Sequence, residues 1–281
     1  MKIAYIVLAH KNIHQIRWLL EAIQSENVSI YLHIDRLSGR KIHQEAIDAL
    51  ENIQNLTYLR RYATSWGGFG LVKATLEGLR QIMLSGLPEY VILLSGQDYP
   101  VKPKEELEAF LQNNYGMSYM EYYNFPHPNW EDHGGFDRIN RWFFTFPFKE
   151  NRLAKEIRAK TIQALNVLMP RRKFPEGYKP YGGSQWWCLY QDCFAYINEF
   201  CKQNKKFVRF FKTVRIPDEI FFQTMLMNSD LANKIINRKL TYVDWNGPPY
   251  PRILSQKDLV TLKFSRYFFA RKFDSVFKNG E

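Results

Sequence analysis

"KIAYIVLAH", Lys2 to His10, is apolar at every position from Ile3 to Ala9. A short run without polar alternation reads as a strand buried on both faces, the kind found in parallel sheets covered by helices. With "KN" following at once, the start "MKIAYIVLAHKN" is too short and too soon polar for a signal peptide. Outward from it the chain alternates in type. "IHQIRWLLEAIQ" has helical spacing, "VSIYLHID" is a second strand, "KIHQEAIDALENI" a second helix and "LTYLR" a short strand. "FGLVKATLEGLRQIML" is a long amphipathic helix, "YVILLSGQD" another buried strand, and "KPKEELEAFLQ" a helix with acids early. Such alternation predicts an α/β fold with a Rossmann-like, mostly parallel central sheet flanked by helices. Ligands of these sheets sit at the carboxyl ends of strands, here His10, His33 to Asp35, and Ser95 to Asp98.

Beyond Tyr123 the periodicity fades. "NFPHPNWEDHGGFDRINRWFFTFPF" is aromatic and rich in Gly and Pro, and reads as long loops with short pieces of structure. "RLAKEIRAKTIQALNVL" and "QDCFAYINEFCKQN" read as helices, and "SQWWCLY" and "KLTYVDW" as strands. No repeat or low-complexity linker separates the parts, so one compact unit with two lobes is expected, residues 1–125 and 126–281.

Lys and Arg exceed Asp and Glu by 11, and aromatic residues make up 16% of the 281. The charge favours anionic partners, and the aromatics serve cores as well as stacking surfaces. The densest basic pieces are "PRRKFP" and "KFSRYFFARKF". A basic nucleic-acid-binding protein is the reading from a different class, but no nucleic-acid motif accompanies the charge. Cys188, Cys193 and Cys201 form no C-x-x-C pair, which points to unpaired thiols and a reducing compartment. No apolar run reaches the roughly 18–20 residues of a membrane span. A cytoplasmic location is expected, with peripheral membrane contact through basic patches.

Five stretches carry candidate chemistry. The glycines of "SWGGFG", with Trp66 and Gly67, precede a long helix, where a backbone can approach an anion closely; a turn needing positive φ explains them equally. Asp35 ends the second strand, placed either to contact a nucleotide or to cap a turn. "LLSGQDYPV" ends in Gln97-Asp98 where nucleotide-sugar enzymes often carry D-x-D, and D-x-D occurs nowhere in this chain. A metal-held diphosphate is thereby disfavoured, and Arg252, Arg271 and Lys272 are the fixed cations that would replace it. The cluster "HPNWEDH" lacks H-E-x-x-H spacing and reads as loop polar contacts. In "YGGSQWWCLY" strand alternation would turn Trp186 and Trp187 to opposite faces, one to the core and one to a cleft, or both into different core layers.

"VRIPDEIFFQTMLMNS", Val214 to Ser229, opens a helix with proline and two acids, packed down through Ile220, Phe221, Met225 and Leu226. Asp218 is the expected structural cap. Glu219 either serves the helix start or takes a proton.

In order, "AYIVLAHKN", "IYLHID", "SWGGFGLVKATLEGLRQ", "YVILLSGQDYPV", "GGSQWWCLY", "PDEIFFQTMLMNS" and "FFARKF" resemble the core-2/I-branching β-1,6-N-acetylglucosaminyltransferase and peptide O-xylosyltransferase family, glycosyltransferase family 14. The likeness covers nearly the whole chain. It implies a GT-A fold, with residues 1–125 binding the nucleotide-sugar and residues 126–281 forming the acceptor-binding and catalytic part. It also implies inverting transfer from a UDP-sugar, most simply GlcNAc with xylose as the alternative, and no essential metal. The family's base falls on Glu219 and its diphosphate-binding cations on Arg252 and Lys272. Asp35 matches a nucleotide-contacting aspartate, and His10, Trp66 and Gly67 fall at the donor. Asp98 and the run Ser184, Gln185, Trp186 and Trp187 are the expected acceptor or sugar contacts. The expected partners are a UDP-sugar and a glycan or lipid-linked glycan, not nucleic acid. The sequence departs from the animal enzymes in lacking their N-terminal anchor and disulfide cysteines, as expected of a bacterial-type member. It also has Gln185 where the xylosyltransferase pattern has an acid.

Overall fold

The computed structural model describes residues 1–146, 152–246 and 251–274, apart from the side chains at 131–132. Twelve strands are found among them: β1 (Ile3–Ala9), β2 (Val28–Ile34), β3 (Leu56–Tyr58), β4 (Tyr90–Ser95), β5 (Asp98–Pro100), β6 (Ser118–Met120), β7 (Tyr123–Asn124), β8 (Tyr181–Gly182), β9 (Trp187–Tyr190), β10 (Ile235–Ile236), β11 (Thr241–Val243) and β12 (Phe269–Arg271). The main sheet has seven, in the order β10-β6-β9-β4-β1-β2-β3. β1 pairs in parallel with β2 and β4, β2 with β3, and β6 with β10; β9 alone runs antiparallel, between β4 and β6. This mostly parallel sheet flanked by helices is the α/β arrangement that the alternation of strands and helices predicts.

All seven residues of β1 are buried. Period-two alternation divides them between two cores. Ala4, Ile6 and Leu8 pack with helices Gly70–Ser85, Gln191–Gln203 and Phe221–Met227. Ile3, Tyr5, Val7 and Ala9 pack with helices Ile13–Ile23, Gly39–Ala49 and Lys104–Asn113 on the other face. Two apolar faces, each needing a cover, are why the sequence alternates strand and helix. Cys188 and Cys193 are buried and all three cysteines are free thiols.

Two elements differ from expectation, and a third stretch, the aromatic loop, matches it. The run around "SQWWCLY" becomes a strand only at Trp187. Trp186 precedes the pleat, so the two tryptophans join the same core cluster instead of facing apart. The helix expected from Pro217 begins as a 3₁₀ turn, Pro217–Glu219, and its α-helical part is Phe221–Met227. The aromatic loop holds two short helices, Glu131–Gly134 and Phe136–Asn140. The side chains of Glu131 and Asp132 in "HPNWEDH", Pro147 and Phe148 of the aromatic loop, and Pro249 and Tyr250 of "PYPRIL" lie outside the described residues.

A second sheet, β11-β12-β5, carries the C-terminal segment back to the main one. β12 pairs antiparallel with β5, setting Arg271 opposite Asp98. The next residues continue along the carboxyl end of β4, where Phe273 N–H donates to the Gln97 carbonyl (2.9 Å).

Candidate active site

Glu219 ends the 3₁₀ turn, and two chain segments, at Gly67 and at Gly183–Ser184, fix that turn. The Ile216 N–H donates to the Gly67 carbonyl (2.8 Å), and the Gly183 N–H donates to the Glu219 carbonyl (2.9 Å). Gln223 Nε2 then ties the following helix to the Ser184 carbonyl (2.7 Å). Both glycines are required by space. A Cβ on Gly183 would stand 1.9 Å from the Glu121 carbonyl oxygen, and Gly67 has φ +73°, where an added Cβ would also meet the Phe143 ring at 3.2 Å. Ile216 itself has φ 53°, in the left-handed region that β-branched residues avoid. Strain of this kind persists only where surrounding bonds hold it, and it collects at functional sites.

The Glu219 carboxylate is half-buried and accepts a hydrogen bond from Arg138 Nη1 at 2.8 Å. Burial raises its pKa, while the charge and hydrogen bond of Arg138 pull it down; Glu121 adds a small push upward and Arg271 one downward. Arg138 lies against the Trp130 ring, 3.9 Å from its centroid, which orients the guanidinium. Asp218 is not an exposed cap. It is buried, and desolvation followed by the neighbouring Glu219 charge pushes its carboxyl up to about 7.

Of the expected donor residues, His10, Asp35 and Lys272 gather at the carboxyl ends of β1, β2 and β4, whereas Trp66 and Gly67 stand beside the turn that bears Glu219. Asp35 N–H donates to the Ala9 carbonyl (2.8 Å), which seats Asp35 beside His10. Asp35 Oδ1 accepts backbone N–H bonds from Leu37 (2.9 Å) and Thr64 (3.1 Å), so it is a turn cap held in a fixed pose. Desolvation and the Lys11 and Lys272 charges lower the His10 pKa, against Asp35 and Asp274. Lys272 therefore belongs to the same electrostatic neighbourhood. Its ammonium makes no ion pair among the described residues, and desolvation and then Lys11 lower its pKa. Lys11 instead pairs with Asp274 at 2.6 Å, and Gln97 Nε2 donates to the same carboxylate (3.0 Å). Trp66 is 69% exposed, with the Arg215 guanidinium 5.8 Å from its ring centre.

Asp98 is fully buried, beside Arg271, whose charge also reaches Glu219. Its carboxylate accepts from the Ser95 N–H (2.9 Å) and faces Arg271 Nε at 3.3 Å. Burial, partly offset by Arg271, raises its pKa to about 6. Arg271 also covers Trp186, 4.3 Å from the ring centre. Trp186 and Trp187 are thus core residues here, 7% and 3% exposed, and Gln185 is buried with them. Ser184 turns its hydroxyl to the Trp186 N–H (3.3 Å).

Arg252 stands apart from this gathering. Nε bonds Asp244 (2.6 Å) and Nη2 bonds Asp258 (2.7 Å), which raises its pKa and holds that of Asp258 near 2. The groups that the sequence reading missed are Arg138 and the glycine carbonyl and N–H contacts around Ile216. Arg138 sits in an aperiodic loop 81 residues before Glu219, and no spacing rule links the two.

Comparison with known proteins places the chain in a family. The chain is similar to Xylosyltransferase 2 of Homo sapiens, 27% identical over 98% of this chain and 32% of that protein. It is similar to Xylosyltransferase 1 of Homo sapiens, 25% identical over 98% of this chain and 29% of that protein. It thus spans about a third of the length of the curated relatives it matches. Among solved structures it aligns with the apo form of mouse xyloside xylosyltransferase 1, with a TM-score of 0.40, 12% identity, and coverage of 96% of this chain and 97% of that one. The profile of the Core-2/I-Branching enzyme family matches residues 3–264, so the chain belongs to that family of glycosyltransferases.

Proposed function

We propose that this protein transfers a sugar from a UDP-sugar to a hydroxyl of a glycan acceptor, with inversion and with Glu219 as general base. The observation that carries the reading is Glu219 itself: a half-buried carboxylate on a strained turn, clamped by Gly67 and Gly183 and kept ionisable by Arg138 at 2.8 Å. The acceptor hydroxyl gives its proton to Glu219 as its oxygen bonds the anomeric carbon, and the bond from that carbon to the diphosphate breaks in the same step. UDP departs with the electron pair. His10, Asp35, Trp66 and Lys272 form the donor end, and Lys272, without an ion pair among the described residues, is the cation for the leaving diphosphate. Arg252 reaches that role only if it trades a carboxylate for phosphate.

Fixed cations in place of a metal are the proposed solution. The burial of Asp98 under Arg271 supports it, because that carboxylate is turned to a guanidinium and not to the donor end. Transfer should therefore persist in EDTA; loss on chelation with recovery on Mn²⁺ would refute this part. Glu219→Gln should lower turnover by about 10²–10⁴-fold with UDP affinity nearly unchanged. Wild-type turnover in that variant would remove Glu219 from the reaction.

GlcNAc is the proposed sugar. Xylose is the second reading, favoured by the relatives' names, both xylosyltransferases. Release of UDP from UDP-GlcNAc and UDP-xylose, compared side by side, decides between them. An acceptor on a lipid carrier, met at a membrane surface, completes the proposal.

A further inference from the structure

A cleft of about 730 Å³ opens beside the catalytic turn. Four guanidinium groups line it, Arg141, Arg158, Arg171 and Arg215, against one carboxylate among the described lining residues, Asp137. That carboxylate is already engaged by Arg141 (3.2 Å) and His133 (2.9 Å). Trp66 and Trp142 add aromatic surface. Part of the lining is the helix Arg152–Leu168, which buries none of its residues. That helix is nevertheless fastened by two bonds: Asn166 Oδ1 accepts from the Trp142 N–H (2.7 Å), and Asn166 Nδ2 donates to the Trp142 carbonyl (3.0 Å).

The cleft and the catalytic turn share three pieces of chain. Trp66, Asp137 and Arg215 line the cleft, and their immediate neighbours Gly67, Arg138 and Ile216 hold the turn that bears Glu219. A molecule in the cleft is therefore one residue's width from the groups that position the base.

We propose that this cleft receives an acidic oligosaccharide, so that the acceptor is a uronate-bearing glycan. The proposal rests on the glycosyltransferase reading for the word acceptor, but not for the binding itself. Arginine forks bind carboxylates in pairs of hydrogen bonds, and tryptophan rings take the apolar faces of pyranoses. The volume falls in the range of sites that enclose a small ligand, and a concave cleft suits a few sugar units better than a flat bilayer or a long polyanion.

The test is a tryptophan-fluorescence titration of the whole protein with trigalacturonate and, separately, with neutral maltotriose. Trigalacturonate should bind about tenfold or more tightly than maltotriose, and should weaken as salt rises. Arg141→Gln/Arg171→Gln should erase that preference, and Arg171→Gln alone should reduce it, each in a protein whose thermal melt shows it folded. Equal affinity for the two sugars, or a preference untouched by both variants, overturns the proposal. So does an arginine-dependent signal with phosphatidylglycerol vesicles but none with trigalacturonate. A UDP titration of the wild type separates the two readings. UDP binding without trigalacturonate binding sinks the cleft proposal alone. Arginine-dependent trigalacturonate binding without UDP binding keeps an acidic-glycan site and sinks the glycosyltransferase reading.

Discussion

At Glu219 two opposed influences meet on one carboxylate: desolvation raises its pKa, and Arg138 lowers it. A general base must be ionised before it acts, so under the proposed role of Glu219 this balance sets how far into acid transfer proceeds. Arg138→Gln removes the lowering influence and leaves the burial. The acidic limb of the kcat/KM profile should then move to higher pH, whereas Arg138→Lys should hold it close to wild type. A limb that stays in place in the Gln variant would show that another group titrates. Half of this arrangement was legible beforehand. Proline and two acids before an apolar run marked a helix start, and the family resemblance singled out Glu219. Arg138 was not legible, because its partner is chosen by the tertiary path of an aperiodic loop. The same holds for Asp218. An acid in a first turn reads as a cap, and only packing shows that it is buried.

At the scale of elements, glycine-bearing loops decide where Glu219 stands. Gly183→Ala would drive a Cβ into the Glu121 carbonyl at 1.9 Å, backbone against backbone, where no side chain can yield. The expected cost is about 1–3 kcal/mol of stability, together with a displaced Glu219, since Gly183 N–H holds the Glu219 carbonyl. Denaturant midpoints and turnover measured on the same preparation check this; an unchanged midpoint would mean that the segments at Glu121 and Gly183 part more easily than the contact implies. Strands and helices up to the fourth strand were legible because each is long, periodic and bounded by turn residues. The tandem tryptophans misled for a local reason. Alternation begins where the ladder begins, and Cys188, not Trp186, is the first residue paired with β4 and β6 alike. The 3₁₀ turn was equally hidden, because proline followed by acids suits either helix type.

For the molecule as a whole, buried acids write a pH dependence into stability. Asp218 and Asp98 have carboxyls raised to about 7 and about 6 from a reference of 3.8. A folded-state pKa above the unfolded one means that the folded form holds the proton more tightly. The resulting stabilisation is full below the unfolded pKa and is lost as pH rises through the folded one. Asp218→Asn should therefore match wild type near about pH 4 and become progressively more stable than it towards about pH 8. Melting temperatures of both proteins across that range test this, and a constant difference between them would deny the burial of a protonatable Asp218. The layered α/β architecture was legible at this scale from alternation alone. The way the later chain re-enters the sheet was not, since nothing local specifies a partner some 70 residues distant.

That re-entry has a consequence for how the chain is made. β9 lies between β4 and β6, and its Cys188 pairs with both. On a ribosome the central sheet stays split until residues near 190 have emerged, so the early strands wait with open edges for a late arrival. Pairing over such separations is slow and leaves strand edges exposed meanwhile. A chimera that joins the first 125 residues of one relative to the remainder of another would therefore cut through the sheet, and its success would depend on how the foreign β9 fits between its two hosts.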